Sequence, residues 1–207
     1  MVRVKPFETF TERYDFWFER NKAAYLSELE ALRKFVTGHS MALEVGVGTA
    51  RFAAPLGIRF ALDPAARMVE IARSRGIESV RGIAEKLPFK NCVFDLVLMV
   101  TTICFVDDID ASFREVRRVL KPNGKFVIGF IDRDSLVGKR ISAMTDNPFY
   151  SEATLYSVKE VVEHLEKTGF EVKGFVQTIF DYPEKISQVE PVKEGFGEGS
   201  FVVVHAF

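Results

Sequence analysis

A ten-residue stretch with two glycines constrains the fold of this chain more than any other feature. Residues 43–52 read Leu-Glu-Val-Gly-Val-Gly-Thr-Ala-Arg-Phe, an apolar run that passes through a glycine turn into a helix-like pattern. Gly46 can adopt backbone angles closed to other residues, and Gly48 lets a ligand approach the main chain. A helix N-terminus after such a turn favours a negative group. The stretch predicts a nucleotide-type site at the carboxyl edge of a parallel sheet, with a plain tight turn as the alternative.

Short apolar runs alternate with helical patterns along the rest of the chain. Strands are predicted at residues 41–45, 58–62, 79–82, 94–100, 125–131, 171–180 and 200–207. Helices are predicted at residues 14–36, 51–56 and 65–73, after Asp108, and after the capping box at residues 157–160. Turns or exposed connections are predicted at residues 121–124 and 181–199. This alternation is typical of a mainly parallel sheet with helices on both faces.

Composition excludes several classes of protein. The 207 residues carry a formal net charge of −1, without the basic excess that neutralises nucleic-acid phosphates. The longest apolar run, residues 96–100, is far shorter than the roughly 20 residues of a membrane span. Two cysteines are too few for a disulfide framework or a zinc site and suit a reducing cytoplasm. The start of the chain lacks the apolar core of a signal peptide. We expect a cytoplasmic protein with a small-molecule partner, and neither a nucleic-acid nor a membrane partner.

An acid stands at the end of the second predicted strand. Asp63 lies 15 residues after Gly48, in the sequence Leu62-Asp63-Pro64. A carboxylate at this place accepts hydrogen bonds from both hydroxyls of a ribose. The alternative is a solvated helix cap. Because the glycine turn lies in register upstream, the sequence favours the ribose-binding role.

Four further motifs follow the glycine turn in a fixed order, at residues 62–64, 82–89, 94–97 and 118–124. Together the five motifs resemble the class I (Rossmann-like) S-adenosylmethionine (SAM)-dependent methyltransferases. The similarity is greatest to the branch that includes ubiquinone and menaquinone biosynthesis enzymes and many small-molecule methyltransferases. It covers residues 40–132 and continues loosely to Phe170. The resemblance implies a three-layer α/β/α fold with a seven-stranded, mainly parallel sheet whose last strand is antiparallel. It also implies SAM as cofactor and S-adenosylhomocysteine as its product.

The resemblance further implies a set of cofactor-binding residues. Those expected at the methionine part and the ribose are Glu44, Gly46, Gly48 and Asp63. Those expected near the adenine are Pro64, Met68, Ala84 and Glu85. Those expected to face the sulfonium and the acceptor are Thr101 and Thr102. For Glu44, which lies inside an apolar strand, pairing with main-chain donors is an equal alternative.

This chain departs from the family pattern at two positions. Ala50 stands where the family often has glycine, and Ile83 stands where it usually has an aspartate that contacts the adenine amino group. Alanine is small enough to preserve cofactor approach. Without the aspartate, we expect apolar packing, main-chain groups or Glu85 to hold the adenine.

Two segments outside the motifs are predicted to select the acceptor. Residues 14–18, within a helical cap at residues 1–38, would place aromatic side chains near the sulfonium, and residues 135–156 would form a substrate lid. The candidate acceptor-binding residues are Tyr14, Trp17, Phe18, Tyr150 and Tyr156. The alternatives are a cap that only buries the N-terminal helix and an ordinary packed helix and loop. Both segments belong to one predicted methyltransferase domain, residues 1–207.

The sequence assigns no catalytic residue and no metal site. Methyl transfer from a sulfonium depends on positioning and desolvation, and needs a protein base only if the acceptor must lose a proton. Loop solvation and helix capping account for the acids Asp107, Asp108, Asp110, Asp132 and Asp134.

Three other functions are weaker readings. A nicotinamide-dependent oxidoreductase would need glycine where Arg51 stands. An amino-directed DNA methyltransferase would need an Asn- or Asp-Pro-Pro-aromatic sequence after the fourth strand, where residues 100–103 read Val-Thr-Thr-Ile. A non-catalytic SAM-binding module is compatible with the absence of an obligatory chemical group.

Overall fold

The computed structural model describes residues 4–207, which fold around one eight-stranded sheet. In chain order its strands are β1 Ala42–Val45, β2 Phe60–Asp63, β3 Glu78–Arg81, β4 Phe94–Val100, β5 Leu120–Ile131, β6 Val172–Thr178, β7 Lys193–Glu194 and β8 Phe201–Ala206. Across the sheet their order is β3-β2-β1-β4-β5-β8-β6-β7. The predicted α/β class and Rossmann-like arrangement are confirmed.

The helices of the described range lie before, between and after these strands. They are α1 Lys5–Thr9, α2 Thr11–Arg20, α3 Lys22–Arg33, α4 Ala66–Ser74, α5 Ile109–Val119, α6 Leu136–Ser142 and α7 Val158–Lys167, with a short 3-10 helix at Pro183–Lys185. The two helix starts predicted from capping residues, at Asp108 and Ser157, are confirmed. The Asp108 side chain accepts a hydrogen bond from the Ala111 amide at 2.9 Å, and Ser157 and Glu160 form a reciprocal capping box.

The first five strands are parallel, and the antiparallel strands lie at one end of the sheet. β1 pairs in parallel with β2 on one side and β4 on the other. β8 inserts between β5 and β6 and is antiparallel to both, as predicted. The sheet has one strand more than predicted, because the two-residue β7 pairs with β6 inside the segment predicted as an exposed connection.

Two apolar layers cover the faces of the sheet. On one face, Phe113 of α5 and Leu165 of α7 belong to the same packed cluster as Phe126 of β5. On the other face, Leu32 of α3 packs in a cluster with Leu98 of β4. The central strands are therefore buried on both sides, which explains their nearly continuous apolar sequences.

The N-terminal helix predicted at residues 14–36 is two helices in the structure. The break falls at Asn21, whose backbone angles are φ −110° and ψ 44°. The Asn21 side chain donates to the carbonyl oxygen of Trp17 at 3.1 Å, alongside the Asn21 main-chain amide at 2.9 Å. Asparagine competes in this way for main-chain partners and favours a break over continuation. Residues 11–20 are thereby free to turn across the sheet edge.

Two other local predictions were wrong. Residues 51–57 form a series of turns rather than a helix, and the Ile58 amide donates to the Ala53 carbonyl at 2.9 Å as the chain turns into β2. Residues 121–124 are an irregular part of β5 rather than a separate turn, because the register with β4 shifts there from Leu120 to Lys125. Asn123 takes up the distortion with a φ of +62°.

Asp15 ties α2 to the glycine turn and to the end of α4. Its carboxylate accepts hydrogen bonds from the Arg51 side chain at 2.5 and 2.9 Å, from Arg75 at 2.8 and 2.9 Å, and from the Thr49 hydroxyl at 2.5 Å. Burial opposes ionisation of Asp15, but these hydrogen bonds outweigh it and hold its pKa well below the ordinary range. The network fixes α2 over the carboxyl edge of the sheet.

We expect Asp15→Ala to lower the free energy of unfolding by about 1–3 kcal/mol, because two arginines lose their shared partner. Glu19→Ala is the matched control, since Glu19 pairs with the same Arg51 but is more exposed, and its loss should cost under about 1 kcal/mol. A depressed carboxyl pKa stabilises the fold fully above the unfolded value of 3.8, so the difference between wild type and Asp15→Ala should shrink steadily as pH falls below 3.8 and vanish only below the folded-state pKa. Urea denaturation at several pH values measures the free energy of unfolding of each variant. Equal losses of stability in Asp15→Ala and Glu19→Ala would contradict the proposed role of Asp15.

Candidate active site

The carboxyl ends of β1, β2 and β4 border a crevice of about 80 Å³. β2 and β3 lie on one side of β1, while β4 and β5 lie on the other, so the strand order reverses beside β1. Ligands of open α/β sheets bind at this kind of switch point. The predicted cofactor-binding residues on the wall are Gly46, Gly48, Asp63, Pro64, Ala84, Glu85, Thr101 and Thr102.

The glycine turn adopts backbone angles that favour glycine. Gly46 has a φ of +76° and Gly48 a φ of +52°. A Cβ on Gly46 would overlap the Thr102 side chain, so the turn also needs a residue without one. The following Ala50 has a φ of +64°, which accounts for the glycine common at that position in the family.

Asp63 is held at the end of β2 by main-chain donors. Its Oδ2 accepts from the Gly48 amide and its Oδ1 from the Ala65 amide, each at 2.9 Å. The residue is 7% exposed and lies on the crevice wall. Burial raises the pKa of Asp63 to about 6, against the opposing effect of the two amides. A carboxylate oriented in this way retains lone pairs for hydroxyl donors of a ligand.

Glu44 and Met68, both predicted to contact the cofactor, do not line the crevice. Met68 is fully buried on the inner face of α4. Glu44 is 1% exposed in β1; one carboxyl oxygen accepts from the Ala53 amide, and Oε2 has no hydrogen-bond partner within residues 4–207. Burial raises the pKa of Glu44 well above its ordinary value. The main-chain pairing considered for Glu44 is thus present, together with an orphaned acceptor just before the glycine turn.

The end of the crevice near Ile83 is largely apolar. Ile83, Ala84 and Val106 line it, and no aspartate takes the place of Ile83. Glu85 also borders it, but its Oε1 accepts from the main-chain amides of Asp107 and Asp108 at 2.8 and 3.3 Å. Of the alternatives for holding the adenine, this arrangement favours apolar packing.

A second, larger cavity of about 510 Å³ adjoins the crevice. All five residues proposed from the sequence for acceptor binding line it: Tyr14, Trp17, Phe18, Tyr150 and Tyr156. Residues 137–156 form part of its wall together with side chains from α2, α3 and β5. We call this larger space the acceptor cavity. Four residues line both it and the crevice: Phe7, Tyr14, Thr101 and Phe105.

An aromatic cluster joins the N-terminal helices to the segment after α6. The Phe7 ring centroid lies 4.9 Å from that of Phe105 and 5.5 Å from that of Phe149. Tyr14 is 5.8 Å from Phe7 and 6.2 Å from Phe149 by the same measure. Sequence reasoning did not select Phe7 or Phe105, and it placed Phe149 only within the predicted lid, residues 135–156. Phe105 carried a weak signal, because it follows the predicted site residue Thr101 by four positions.

The described residues contain neither a membrane-spanning helix nor a metal-binding cluster. Between residues 4 and 207, no helix has both the length and the apolar character of a membrane span. Over the same residues, no three His, Cys, Asp or Glu side chains gather as a metal-ion site.

A glycine turn and an acid at adjacent strand ends, at the switch point of a parallel sheet, define a nucleotide-type cofactor site. Comparison with known proteins gives the class. Residues 43–128 match the family model described as a methyltransferase domain. A solved structure described as a SAM-dependent methyltransferase, possible histamine N-methyltransferase, from Thermotoga maritima is 44% identical, with a TM-score of 0.96 over 99% of this chain and 98% of that one. The chain belongs to the class I SAM-dependent methyltransferases, and its cofactor is SAM.

Two further proteins are similar to this chain. An uncharacterized protein of Methanocaldococcus jannaschii is 42% identical over 204 residues, covering 98% of each chain. The malonyl-[acyl-carrier protein] O-methyltransferase of a Methylovorus species is 26% identical over 145 residues, which cover 62% of this chain and 49% of that protein. The similarities to methyltransferases support an enzyme of this class over the oxidoreductase and non-catalytic alternatives.

Asp63→Asn tests the ribose-binding role. We expect it to weaken binding of S-adenosylhomocysteine by about 1.5–3 kcal/mol, because the charge-assisted acceptor is lost. Glu70→Gln, an exposed change on α4, is the control and should leave the dissociation constant unchanged. Because the pKa of Asp63 is raised to about 6, wild-type affinity should fall as pH drops below that value, and the variant's should not. Calorimetric titration from pH 5 to 8 measures this; a pH-independent wild type that binds no better than Asp63→Asn would remove Asp63 from the site.

Gly46→Ala tests the close approach at the turn. The added Cβ would push Thr102 aside and strain the left-handed backbone, so we expect cofactor binding to be lost while the fold survives. Gly57→Ala separates the two effects, because Gly57 has a similar φ of +70° and open space around its missing Cβ. It should cost about 1 kcal/mol of stability and leave cofactor affinity unchanged. Normal cofactor binding by Gly46→Ala would make the glycine purely structural.

Proposed function

We propose that this protein transfers the methyl group of SAM, bound at the crevice, to a small molecule bound in the acceptor cavity. The observation that most supports this is the shared boundary, since Phe7, Tyr14, Thr101 and Phe105 line both spaces. Two reactants held on either side of one boundary meet the positional requirement for direct transfer between them. The Thermotoga relative's description names a small amine as a possible acceptor, which suits a cavity of about 510 Å³.

The residues of the crevice suit SAM. Asp63 has lone pairs for the ribose hydroxyls, and the main chain at Gly46 and Gly48 lines the part of the crevice where the methionine part would lie. When bound, SAM supplies a methyl group on a positively charged sulfonium, and the neutral thioether S-adenosylhomocysteine is the leaving group. Thr101 lines both cavities and Thr102 lines the crevice beside it, so the two would orient the reacting groups, and the surrounding aromatic rings would exclude water.

Residues 1–38 act in this proposal as the cap and residues 135–156 as the lid. The first three residues of the cap lie outside the described range. The aromatic cluster of Phe7, Phe105 and Phe149 holds the cap and the lid together above the two cavities. Closure of this kind keeps water from the transfer and sets which acceptors fit.

The cap covers the cofactor site closely. A Cβ added at Gly48 would lie 2.9 Å from the Tyr14 hydroxyl, so Tyr14 rests against the glycine turn. The crevice of about 80 Å³ is well below the roughly 300–1,000 Å³ of ligand pockets. We infer that α1 and α2 swing away for SAM to enter, which requires the Asp15 contacts with Arg51 and Arg75 to open. Trp17, the single tryptophan of the chain, lies on α2 and is a natural fluorescent reporter of that motion.

The acceptor class is tested by following labelled methyl groups from SAM. Purified protein is incubated with a mixture of small metabolites, with transfer RNA, or with a protein extract, and the label is traced. We expect label in the small-molecule fraction with wild type and little with Asp63→Asn. Label confined to RNA or protein would contradict the proposed function.

Tyr150→Ala tests the lid. Because Tyr150 lines the acceptor cavity and not the crevice, we expect kcat/KM for the acceptor to fall by about tenfold or more. The cofactor dissociation constant should stay within about threefold, a difference under roughly 0.7 kcal/mol. Phe196→Ala, an exposed aromatic truncation that packs on Phe175, is the control and should change neither. Unimpaired turnover by Tyr150→Ala would place acceptor selection elsewhere.

A further inference from the structure

A buried carboxyl group in the acceptor cavity has no counter-charge. Glu28, in the middle of α3, is 5% exposed and lines this cavity. Within residues 4–207 its side chain has neither a hydrogen bond nor an ion pair, and burial alone raises its pKa to about 8. An acid placed in an apolar surrounding without a partner is costly, so it invites a functional explanation.

We propose that the acceptor is a small cationic amine and that Glu28 binds its ammonium group. This inference rests on the proposed function, since it names the chemistry of the molecule in the acceptor cavity. An ammonium group donates hydrogen bonds to the carboxylate and neutralises it, which supplies the partner that the protein does not.

Aromatic side chains on the wall of the same cavity suit the same ligand. Trp17, Phe18 and Tyr150 line the acceptor cavity together with Glu28. Burial and the nearby charges of Cys104 and Glu28 raise the pKa of Tyr150 to about 12, so its hydroxyl stays protonated close to Glu28. Aromatic rings attract organic cations through their faces, and a carboxylate among them adds a directional contact.

The arginines of the cavity do not neutralise Glu28. Arg140 donates two hydrogen bonds to Glu184 and stacks 4.0 Å above the Tyr182 ring. Arg13 and Arg20 are exposed at the mouth, and Arg13 lies over the Phe149 ring. These two exposed charges would favour an anionic ligand at the rim, so an anionic acceptor is the alternative that an experiment must separate.

Protonation of Glu28 makes amine binding depend on pH. With a pKa of about 8, the carboxyl group is mostly neutral at pH 7 and must lose its proton when it binds an ammonium ion. The other charged or titratable side chains on the cavity wall are Arg13, Tyr14, Arg20, Cys104, Arg140, Tyr150, Tyr156 and Glu184. Affinity for an amine that stays protonated over this range should therefore rise from pH 6 to pH 8 and level off above the pKa of Glu28.

The test uses three probes of one shape and different charge: 2-phenylethylamine, 2-phenylethanol and 3-phenylpropionate. Each is titrated into the full chain saturated with S-adenosylhomocysteine. At pH 8 we expect the amine to bind about tenfold tighter than the alcohol, as a hydrogen-bonded charge pair provides, and the acid to bind weakest. Glu28→Gln should abolish the preference for the amine and the rise in affinity from pH 6 to 8.

Glu30→Gln is the matched control, because Glu30 is exposed on the same helix and pairs with Arg33. It should retain both the preference and the pH dependence. The melting temperature of Glu28→Gln at pH 8 should be no lower than that of wild type, since the change removes an unpartnered buried acid. If the carboxyl group had a purely structural role, its removal would instead lower the melting temperature.

Several outcomes would overturn the inference. They are equal binding of the amine and the alcohol, no binding of the amine, tighter binding of the acid, or a preference for the amine that survives in Glu28→Gln. Failure of S-adenosylhomocysteine to bind in the first step would instead contradict the cofactor assignment. The two failures are therefore distinguishable.

Discussion

Main-chain hydrogen bonds between the glycine turn and the end of β2 hold together the edge on which this active site is built. The amides of Gly46 and Val47 donate to the Leu62 carbonyl at 2.8 and 3.1 Å, and the Gly48 amide donates to the Asp63 carboxylate at 2.9 Å. These bonds require the positive φ angles of the glycines. The same carboxylate reaches the Ala65 amide before α4, so one side chain sets the spacing of the turn, the strand end and the helix start.

The strand ends at this edge border the crevice proposed for SAM. The N-terminal helices cover that edge and complete the wall of the acceptor cavity. Asp15 fastens α2 to Arg51 and Arg75 beside the glycine turn. Tyr14, the residue before Asp15, is thereby placed against Gly48 on one side and the acceptor cavity on the other. In the proposed function, the position of the acceptor therefore depends on an ion-pair network whose partners are far apart in the sequence. Burial of the unpaired Glu28 carboxyl group in that cavity opposes folding, and the proposed ammonium ligand would supply the missing partner.

The sequence predicted the elements whose signals are local. β4 is found at Phe94–Val100 as predicted, and the Ser157 capping box begins α7, because continuous apolar runs and caps act over a few residues. The short β7 was missed, since two exposed residues carry no pattern of their own and pair only because β6 offers an edge. The helix break at Asn21 was missed because it depends on side-chain competition for one carbonyl oxygen.

The candidate site divides in the same way. Most of the predicted cofactor residues lie together because motif order fixes strand ends, whereas the burial of Met68 follows from how α4 rotates on the sheet. The contacts of Phe7 with Phe149 join segments more than a hundred residues apart and leave no trace in spacing. The most direct test of the account is a crystal structure with S-adenosylhomocysteine bound. We predict its ribose hydroxyls on Asp63 and its sulfur beside Thr101, facing the acceptor cavity; a ribose away from Asp63, or a sulfur turned away from that cavity, would contradict the account.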